Sequence, residues 1–323
     1  MKTSVVYVIT SSFDDTYLEQ MYFSMYSLRM YNPMVNIIIV CDTSTAQSFI
    51  GNRKKLMEIA NEVIPVEVPT QFNNMQKSRF LKTSLRKYIS GDFLYIDNDT
   101  IICDDISEID NMESPLMGVP DFHCDLTEFP GNKSLSILSE KIGLHFDKHK
   151  YCFNGGVLYA KDHPISYDLF NCWHSEWIKN LKLGYSTDQQ SLFAANEKCG
   201  FPIKKMDDAY NCQIIFNGLK YLYRAKIIHY FASGFEKSGN LEQPYLFQNK
   251  LHYQYLKENG TLDAECEKGF KSPKGAFVPN VQIVTSFQSE YNNTPFYSMS
   301  RNFYYNHSKL IKLMSKIKHI LKK

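Results

Sequence analysis

The sequence predicts an α/β fold in which a mainly parallel, twisted sheet is flanked by helices. Two observations support this prediction. Short apolar runs typical of buried strands recur through the amino-terminal part of the chain, and stretches with helical spacing separate them. Such alternation is typical of a parallel sheet covered on both faces. The chain of 323 residues, 44% hydrophobic and 22% charged, is also long enough for one large domain with an appendage.

Each element follows from its local pattern. The predicted strands are Val5–Thr10, Asn36–Cys41, Val63–Val68, Phe93–Ile96, Phe153–Tyr159 and Ala225–Tyr230. The predicted helices are Thr16–Met30, Thr45–Ala60, Lys77–Tyr88 and Ser166–Leu181, with a further helix starting within Ser186–Gln190. Residues 110–150 carry prolines and glycines among mixed polar residues, so we expect an irregular segment that is functional or mobile.

Two carboxylates stand where a predicted strand ends. Asp97 and Asp99 directly follow the apolar run Phe93–Ile96. An isolated carboxylate is costly to desolvate, so the pair needs a counter-charge. Hard divalent ions such as Mg²⁺ or Mn²⁺ prefer carboxylate oxygen, which favours a metal site. The alternative is a turn in which the side chains cap their own backbone.

The chain shows neither an internal repeat nor a low-complexity linker. We therefore expect a core domain over residues 1–240 and a small helical C-terminal appendage over residues 241–323. The eight cysteines lack zinc-ligand spacing, which is typical of thiols in a reducing compartment. The apolar run Val5–Ile9 is too short for a signal peptide, and no apolar span is long enough to cross a membrane. These features predict a cytoplasmic protein.

The C-terminal segment differs in charge from the rest of the chain. Residues 301–323 contain seven basic residues and no acidic residue, whereas the whole chain has a net charge of +2. At helical spacing most apolar residues of 310–321 share one face, and aromatic residues at 296–305 precede them. This pattern predicts a helix on an anionic membrane surface, here the inner face of the cell membrane. The alternatives are a helix packed on the protein's own core and an RNA-binding tail, but no other nucleic-acid motif supports the latter.

Four motifs in order carry a resemblance to a known family. They are Tyr-Ile-Asp-Asn-Asp at 95–99, Phe-Asn-Gly-Gly-Val at 153–157, Thr-Asp-Gln-Gln at 187–190 and Ile-Ile-His-Tyr at 227–230. Together with the first strand and an arginine-bearing helix, this order resembles glycosyltransferase family 8, over roughly residues 4–237. The family includes bacterial galactosyl- and glucosyltransferases and glycogenin. The resemblance implies the GT-A fold of nucleotide-diphospho-sugar transferases.

The resemblance implies a metal site made by Asp97, Asp99 and His229. In the family these positions bind Mn²⁺ or Mg²⁺, which neutralises the diphosphate leaving group. Mixed carboxylate and imidazole ligation suits Mn²⁺ better. The resemblance also implies a UDP-sugar as the donor substrate.

The resemblance also places the nucleotide on the loop after the first strand. The implied contacts are Thr10, Ser11, Asp14, Thr16 and Tyr17. Asp14 would read the uracil edge and Tyr17 would stack on the base. The loop is longer than the family's usual loop, so Asp14 and Asp15 could exchange roles. Asp14 could also be only the cap of the following helix.

The donor sugar and its phosphates have their own implied residues. They are Arg79, Asn98, Asp121, Asn154, Gly155, Gly156, Asp188 and Gln189. Asp188 and Gln189 match a pair below the anomeric carbon that stabilises a cationic transition state. Asn154 and Arg79 complete the expected catalytic set by contacting the donor. Lys82, one turn after Arg79, would either assist or remain solvated.

One position departs from the family pattern. The family's histidine is followed by a Lys-Pro-Trp whose lysine touches phosphate, and here only Lys237 follows His229, without Pro-Trp. Lys237 is the candidate for the same contact from a longer loop.

The resemblance as a whole implies a metal-dependent, retaining glycosyltransferase. It would move a hexose from UDP-glucose or UDP-galactose to a cell-surface glycan or a lipid-linked saccharide. Two alternatives remain open. One is a catalytically silent nucleotide-sugar-binding protein at the membrane. The other is a sugar-nucleotide pyrophosphorylase, which would need a glycine-rich basic loop that residues 10–13 do not provide.

Overall fold

The computed structural model describes residues 1–129, 132–214, 217–230, 246–276 and 290–309. Within them the strands are β1 (Ser4–Ile9), β2 (Ile37–Asp42), β3 (Glu62–Val66), β4 (Phe93–Ile96), β5 (Thr100–Ile102), β6 (Leu116–Pro120), β7 (Phe153–Ala160), β8 (Lys204–Lys205), β9 (Cys212–Gln213) and β10 (Ile227–His229). The helices are α1 (Tyr17–Tyr31), α2 (Thr43–Gln47), α3 (Asn52–Met57), α4 (Asn74–Thr83), α5 (Asn132–Ile142), α6 (Pro164–Lys182), α7 (Asp188–Lys198), α8 (Lys250–Asn259), α9 (Ala264–Phe270) and α10 (Pro295–Asn306).

A seven-stranded sheet forms the centre of the protein, in the order β3-β2-β1-β4-β7-β6-β8. The strands β1 to β4 pair in parallel, and a helical connection separates each from the next, as parallel pairing requires. Strand β7 is antiparallel to both β4 and β6. The predicted α/β fold with a mainly parallel sheet is therefore confirmed, with β7 as the exception.

The core explains why the central strands read as continuous apolar runs. Every residue of β2, β4 and β7 is buried, because helices cover both faces of the sheet. Phe93 of β4 packs on Phe170 of α6, with ring centroids 5.6 Å apart, and Trp173 and Trp177 of the same helix are fully buried. Each such side chain contributes about 1.5–3 kcal/mol through burial, which fixes α6 against the sheet at the start of β4.

A smaller sheet in the order β5-β10-β9 lies beyond the end of β4. Strand β10 is antiparallel to β5 and places His229 opposite Thr100. The backbone N–H of Tyr230 also donates to the carbonyl of Asp99 at 2.9 Å. The predicted strand Ala225–Tyr230 thus exists over a shorter range, and its pairing brings a histidine to the acidic pair.

Two helix predictions need correction. The single helix predicted over Thr45–Ala60 is wrong, since α2 and α3 are separate and Gly51 between them has a φ of +56°. Glycine adopts this left-handed backbone readily, and the helix is interrupted there.

The helix predicted over Lys77–Tyr88 is α4 in the structure, which both starts and ends earlier in the sequence. Asn73 caps it in a reciprocal pair of bonds with Gln76, at 2.9 and 3.0 Å.

The segment 110–150 is more regular than predicted. It contains β6 and α5, so the expectation of an irregular stretch is wrong for these two ranges. The prolines mislead here, because Pro115 precedes β6 and Pro120 ends it, and strand ends tolerate proline.

The chain divides into two compact units. One comprises Met1–His123 and Phe153–Val281, and the other comprises Cys124–Cys152 and Gln282–Lys323. The first unit holds both sheets, and the second holds α5 and α10. The predicted boundary at residue 240 stays a prediction, since residues 231–245 lie outside the described ranges. No helix in the described part of the chain is long and apolar enough to span a bilayer.

Candidate functional site

The acidic pair and His229 lie together between β4, β5 and β10. His229 Nε2 is 3.1 Å from Asp99 Oδ1 and 4.0 Å from Asp97 Oδ2. One ligand atom from each residue falls within 4.8 Å of the others. The imidazole is almost fully buried, whereas the side chains of Asp97 and Asp99 are 27% and 18% exposed, so an ion could enter from solvent. The structure brings the three predicted metal ligands together, and their ligand role stays a prediction.

Gly156 of β7 forms a wall of this cluster. A Cβ at this position would lie 2.3 Å from His229 Cε1 and 2.8 Å from Asp97 Oδ2, so no side chain fits. The space is therefore kept open by the absence of a side chain. Two carboxylates with one imidazole nitrogen are a donor set that suits Mn²⁺. The residues present fit a divalent cation.

A network of opposite charges joins the acidic pair to the start of α7. Arg79 Nε lies 2.8 Å from Asp188 Oδ1, and Lys82 Nζ lies 2.9 Å from Asp188 Oδ2 and 3.2 Å from Asp97 Oδ1. Burial alone would raise the pKa of Asp188, but Arg79 and Lys82 outweigh burial and hold that pKa well below its usual range. Asp188 is therefore a carboxylate at neutral pH. The Lys82 side chain is only 4% exposed, so the interpretation of Lys82 as a solvated residue is wrong.

Gln189 and Asn154 both form hydrogen bonds with the backbone of β7. The Gln189 carboxamide accepts a hydrogen bond from Gly155 N at 3.2 Å and donates to the carbonyl of Phe153, which fixes α7 to β7. Asn154 Oδ1 accepts from Gly156 N at 2.8 Å. At Gly155 an added Cβ would meet only ordinary contacts, the nearest being Lys82 Nζ at 3.5 Å. Two predicted catalytic residues thus have fixed orientations next to the Asp188 network.

Asp121 is a buried carboxylate beside Asn154. Asn154 Nδ2 donates to Asp121 Oδ1 at 2.9 Å. Burial raises the pKa of Asp121 to about 6, although the bond from Asn154 lowers it. The structure therefore places Asp121 with the predicted sugar-side residues, in a site where its protonation state changes near neutral pH.

The loop after β1 shows how Asp14 and Asp15 differ. Asp15 accepts bonds from Ser11 Oγ at 2.5 Å, Ser12 N at 2.7 Å and Tyr17 N at 3.2 Å, so it braces the loop from within. Asp14 is exposed, and it is not the N-cap of α1, which is Thr16. The helix-cap alternative for Asp14 is wrong. Of the two carboxylates, Asp14 is the one open to a ligand.

The remaining predicted nucleotide residues surround this loop. Thr10 Oγ1 donates to Asn74 O at 2.9 Å, and Ser11 N donates to Thr45 Oγ1 at 2.9 Å. The Tyr17 side chain is 55% exposed, as a stacking ring must be before a base binds. Asn98 Nδ2 donates to Val8 O at 3.0 Å and ties the acidic loop to β1. Lys237 lies outside the described residues.

Two cations that the sequence reasoning missed hold the same loop. Arg53 Nη1 donates to Ser12 O at 2.6 Å and its Nη2 to Asp15 O at 2.6 Å, while its Nε pairs with Glu19 at 2.8 Å. Lys257 Nζ donates to Asp15 O at 3.0 Å. Neither cation stands in a recognisable motif, because the groups that it contacts lie far from it in sequence. The buried Asn211 beside His229 has no sequence signal either, because Asn211 and the two side chains that it contacts, those of His229 and Asn154, are separated in sequence.

Comparison with known proteins identifies the fold. No protein-family model and no curated protein sequence matches the chain. Among solved structures, that of galactosyltransferase LgtC with donor and acceptor sugar analogues matches with a TM-score of 0.54 at 16% identity, over 83% of this chain and 100% of that one. An active-site mutant of LgtC gives a TM-score of 0.51 at 16% identity, over 71% of this chain and 87% of the other. The chain has the fold of these glycosyltransferases.

A third structure supports the same conclusion. The bifunctional glycosyltransferase WbbM without ligand matches with a TM-score of 0.51 at 15% identity, over 71% of this chain and 45% of that one. The predicted GT-A fold is confirmed by these similarities, which agree with the family resemblance of the motifs. At such identity the similarity establishes the fold alone.

Proposed function

We propose that the protein is a metal-dependent glycosyltransferase that moves a hexose from a UDP-sugar to a saccharide acceptor. The observation that carries this proposal is the position of Lys82. Its Nζ lies 3.2 Å from Asp97, a proposed metal ligand, and 2.9 Å from Asp188, a proposed sugar-site residue. One buried ammonium thus contacts both the proposed metal–diphosphate site and the proposed sugar site, which supports transfer from a nucleotide sugar.

The proposed metal would be held by Asp97, Asp99 and His229. When bound it would act as a Lewis acid that neutralises charge on the leaving diphosphate, and Mn²⁺ suits the donor set better than Mg²⁺. Gly155 and Gly156 let the donor approach the backbone of β7 closely. Lys82 and Arg79 add fixed positive charge on the other side of the same site.

The proposed sugar-side chemistry depends on Asp188 and Gln189. Asp188 stays ionised and would stabilise positive charge at the anomeric carbon. The Gln189 carboxamide bonds to the backbone of β7 and is a poor nucleophile. We therefore favour retention of configuration by attack of the acceptor on the face that the diphosphate leaves, without a covalent intermediate.

The proposed nucleotide is uridine diphosphate, carrying glucose or galactose. Asp14 would accept from the uracil edge and Tyr17 would stack on the base, since both are exposed on a loop that Arg53 and Lys257 hold in shape. Thr10, Ser11 and Thr16 complete this part of the proposed site.

The proposed acceptor is a cell-surface glycan or a lipid-linked saccharide at the inner face of the membrane. Phe296, Phe303 and Tyr304 of α10 are 65%, 51% and 47% exposed, and seven basic residues with no acidic one occupy 301–323. Exposed aromatics beside a basic segment favour an anionic lipid surface. The helix predicted over 310–321 lies outside the described residues.

A donor hydrolysis assay tests the proposed function. Purified protein with Mn²⁺ should slowly release UDP from UDP-glucose or UDP-galactose, because water can replace a missing acceptor. Protein that binds UDP but releases none from any UDP-sugar would support the binding-protein alternative instead. Release of UTP from a UDP-sugar on addition of pyrophosphate would support the pyrophosphorylase alternative.

A further inference from the structure

A chain of buried hydrogen bonds leads away from His229 on the side opposite the acidic pair. His229 Nδ1 lies 3.0 Å from Asn211 Oδ1. Asn211 Nδ2 donates to Asn154 Oδ1 at 2.9 Å, and Asn154 Nδ2 donates to Asp121 Oδ1 at 2.9 Å. All four side chains are buried, and Asn211 has no exposed surface. The network links the proposed metal site to the proposed sugar site.

One backbone N–H group fixes which atom donates and which accepts in each hydrogen bond of this network. Gly156 N–H points at Asn154 at 2.8 Å, and a backbone N–H can only donate. The Asn154 atom that faces Gly156 must therefore be the amide oxygen, and its NH₂ group faces the Asp121 carboxylate. Asn211 also forms a hydrogen bond with this oxygen of Asn154, so its NH₂ group must be the donor. The amide oxygen of Asn211 then faces His229.

An amide oxygen only accepts hydrogen bonds, which settles the protonation of Nδ1, the ring nitrogen that faces Asn211. His229 Nδ1 must carry a hydrogen, because two bare acceptors 3.0 Å apart in a buried site would repel each other. The other ring nitrogen, Nε2, is then the atom presented to Asp99 Oδ1 at 3.1 Å and Asp97 Oδ2 at 4.0 Å.

We propose that Asn211 is a positioning residue that keeps a proton on His229 Nδ1 and so presents Nε2 to the acidic pair as a ligand atom. Asn211 is itself oriented by Asn154 and the backbone of Gly156. The position of the proton on Nδ1 does not depend on the protein's activity. The role of Nε2 as a metal ligand rests on the proposed function. Partners of this kind orient metal-binding histidines in many proteins.

Nitrogen NMR on the metal-free protein tests the position of the proton. Histidine labelled with ¹⁵N gives different shifts for a protonated and a bare ring nitrogen, and the variant His229→Gln identifies the resonances of His229. At neutral and alkaline pH we expect Nδ1 of His229 to have the shift of a protonated nitrogen. A bare Nδ1 beside a protonated Nε2 would overturn the proposal, whatever the protein's activity.

Binding of Mn²⁺ alone, followed by the electron paramagnetic resonance of the free ion, tests the positioning role. Asn211→Leu removes the acceptor for Nδ1–H and should weaken Mn²⁺ binding about 10–100-fold, the usual effect of losing such a partner. Asn211→Asp keeps an acceptor for His229 and should bind Mn²⁺ nearly as well as the wild type. It should nevertheless melt at a lower temperature, because its second oxygen faces Asn154 Oδ1.

A buried asparagine elsewhere serves as the matched control. Asn180 of α6 has no exposed surface and donates to Ser191 Oγ at 3.1 Å. Asn180→Leu should leave Mn²⁺ binding unchanged even if it lowers stability. Equal losses of Mn²⁺ affinity in Asn211→Leu and Asn211→Asp would overturn the positioning role. A wild-type protein that binds no Mn²⁺ would instead refute the proposed metal function, and the NMR result would still decide the position of the proton.

Discussion

The replacement of Gly156 by alanine should disrupt the proposed metal site while leaving the rest of the fold in place. The new Cβ would stand 2.3 Å from His229 Cε1, 2.8 Å from Asp97 Oδ2 and 2.9 Å from Asn154 Oδ1. Carbon atoms in contact need more than 3 Å, so the imidazole must move by about 1 Å away from the acidic pair. Overpacking of this kind costs about 1–3 kcal/mol of stability.

Gly155 provides the matched control because it precedes Gly156 in the same strand. A Cβ at Gly155 meets nothing closer than 3.5 Å, and both substitutions restrict the unfolded chain equally. The difference between the two variants therefore isolates the clash. Urea denaturation should show Gly156→Ala about 1–3 kcal/mol less stable than Gly155→Ala, and its Mn²⁺ affinity should be at least about 10-fold lower. Equal stability and equal Mn²⁺ affinity in the two variants would show that a side chain at residue 156 does not displace His229.

Three further predictions concern charge. Asp188→Asn should lower the free energy of unfolding by up to about 3 kcal/mol in urea denaturation, because Lys82 stays buried with fewer counter-charges; an unchanged value would contradict the network. Burial raises the pKa of Asp121 from 3.8 to about 6, so the folded state binds this proton more tightly than the unfolded state. Between about pH 3 and pH 7 the wild type should thus lose about 3 kcal/mol relative to Asp121→Asn as pH rises, and a pH-independent difference would argue against a raised pKa. Deletion of residues 301–323 should release the protein from anionic vesicles in a sedimentation assay without abolishing donor hydrolysis, whereas full retention would rule out the proposed anchor.

The strands and the acidic pair could be predicted because their signals are local. The four apolar residues before Asp97 are enough to predict β4. The order of the motifs along the sequence is enough to select His229 and Asp188 as candidate site residues. The break at Gly51 was not predictable in this way, since a glycine inside a helical pattern is often tolerated. Strand β6 was missed because its bounding prolines resemble those of a loop.

The supporting residues could not be predicted because their signals are not local. Asn211 lies far in sequence from Asn154, and Arg53 lies far from Ser12 and Glu19, so neither belongs to a periodic pattern or motif. The sequence leaves the role of Lys82 open between assistance and solvation, and its burial between two carboxylates excludes solvation. Sequence patterns thus located the proposed ligands, and the tertiary structure revealed what orients them.

The most direct test of the proposed metal–nucleotide site is the effect of Mn²⁺ on the affinity for UDP, measured by calorimetry for the wild type, Asp97→Ala and Asp99→Ala. Asp104→Ala is the control, since this carboxylate is exposed and lies nearby in sequence. We expect Mn²⁺ to tighten UDP binding in the wild type and in Asp104→Ala but not in the other two variants. An equal effect of Mn²⁺ in all four proteins would contradict the proposed metal–nucleotide site.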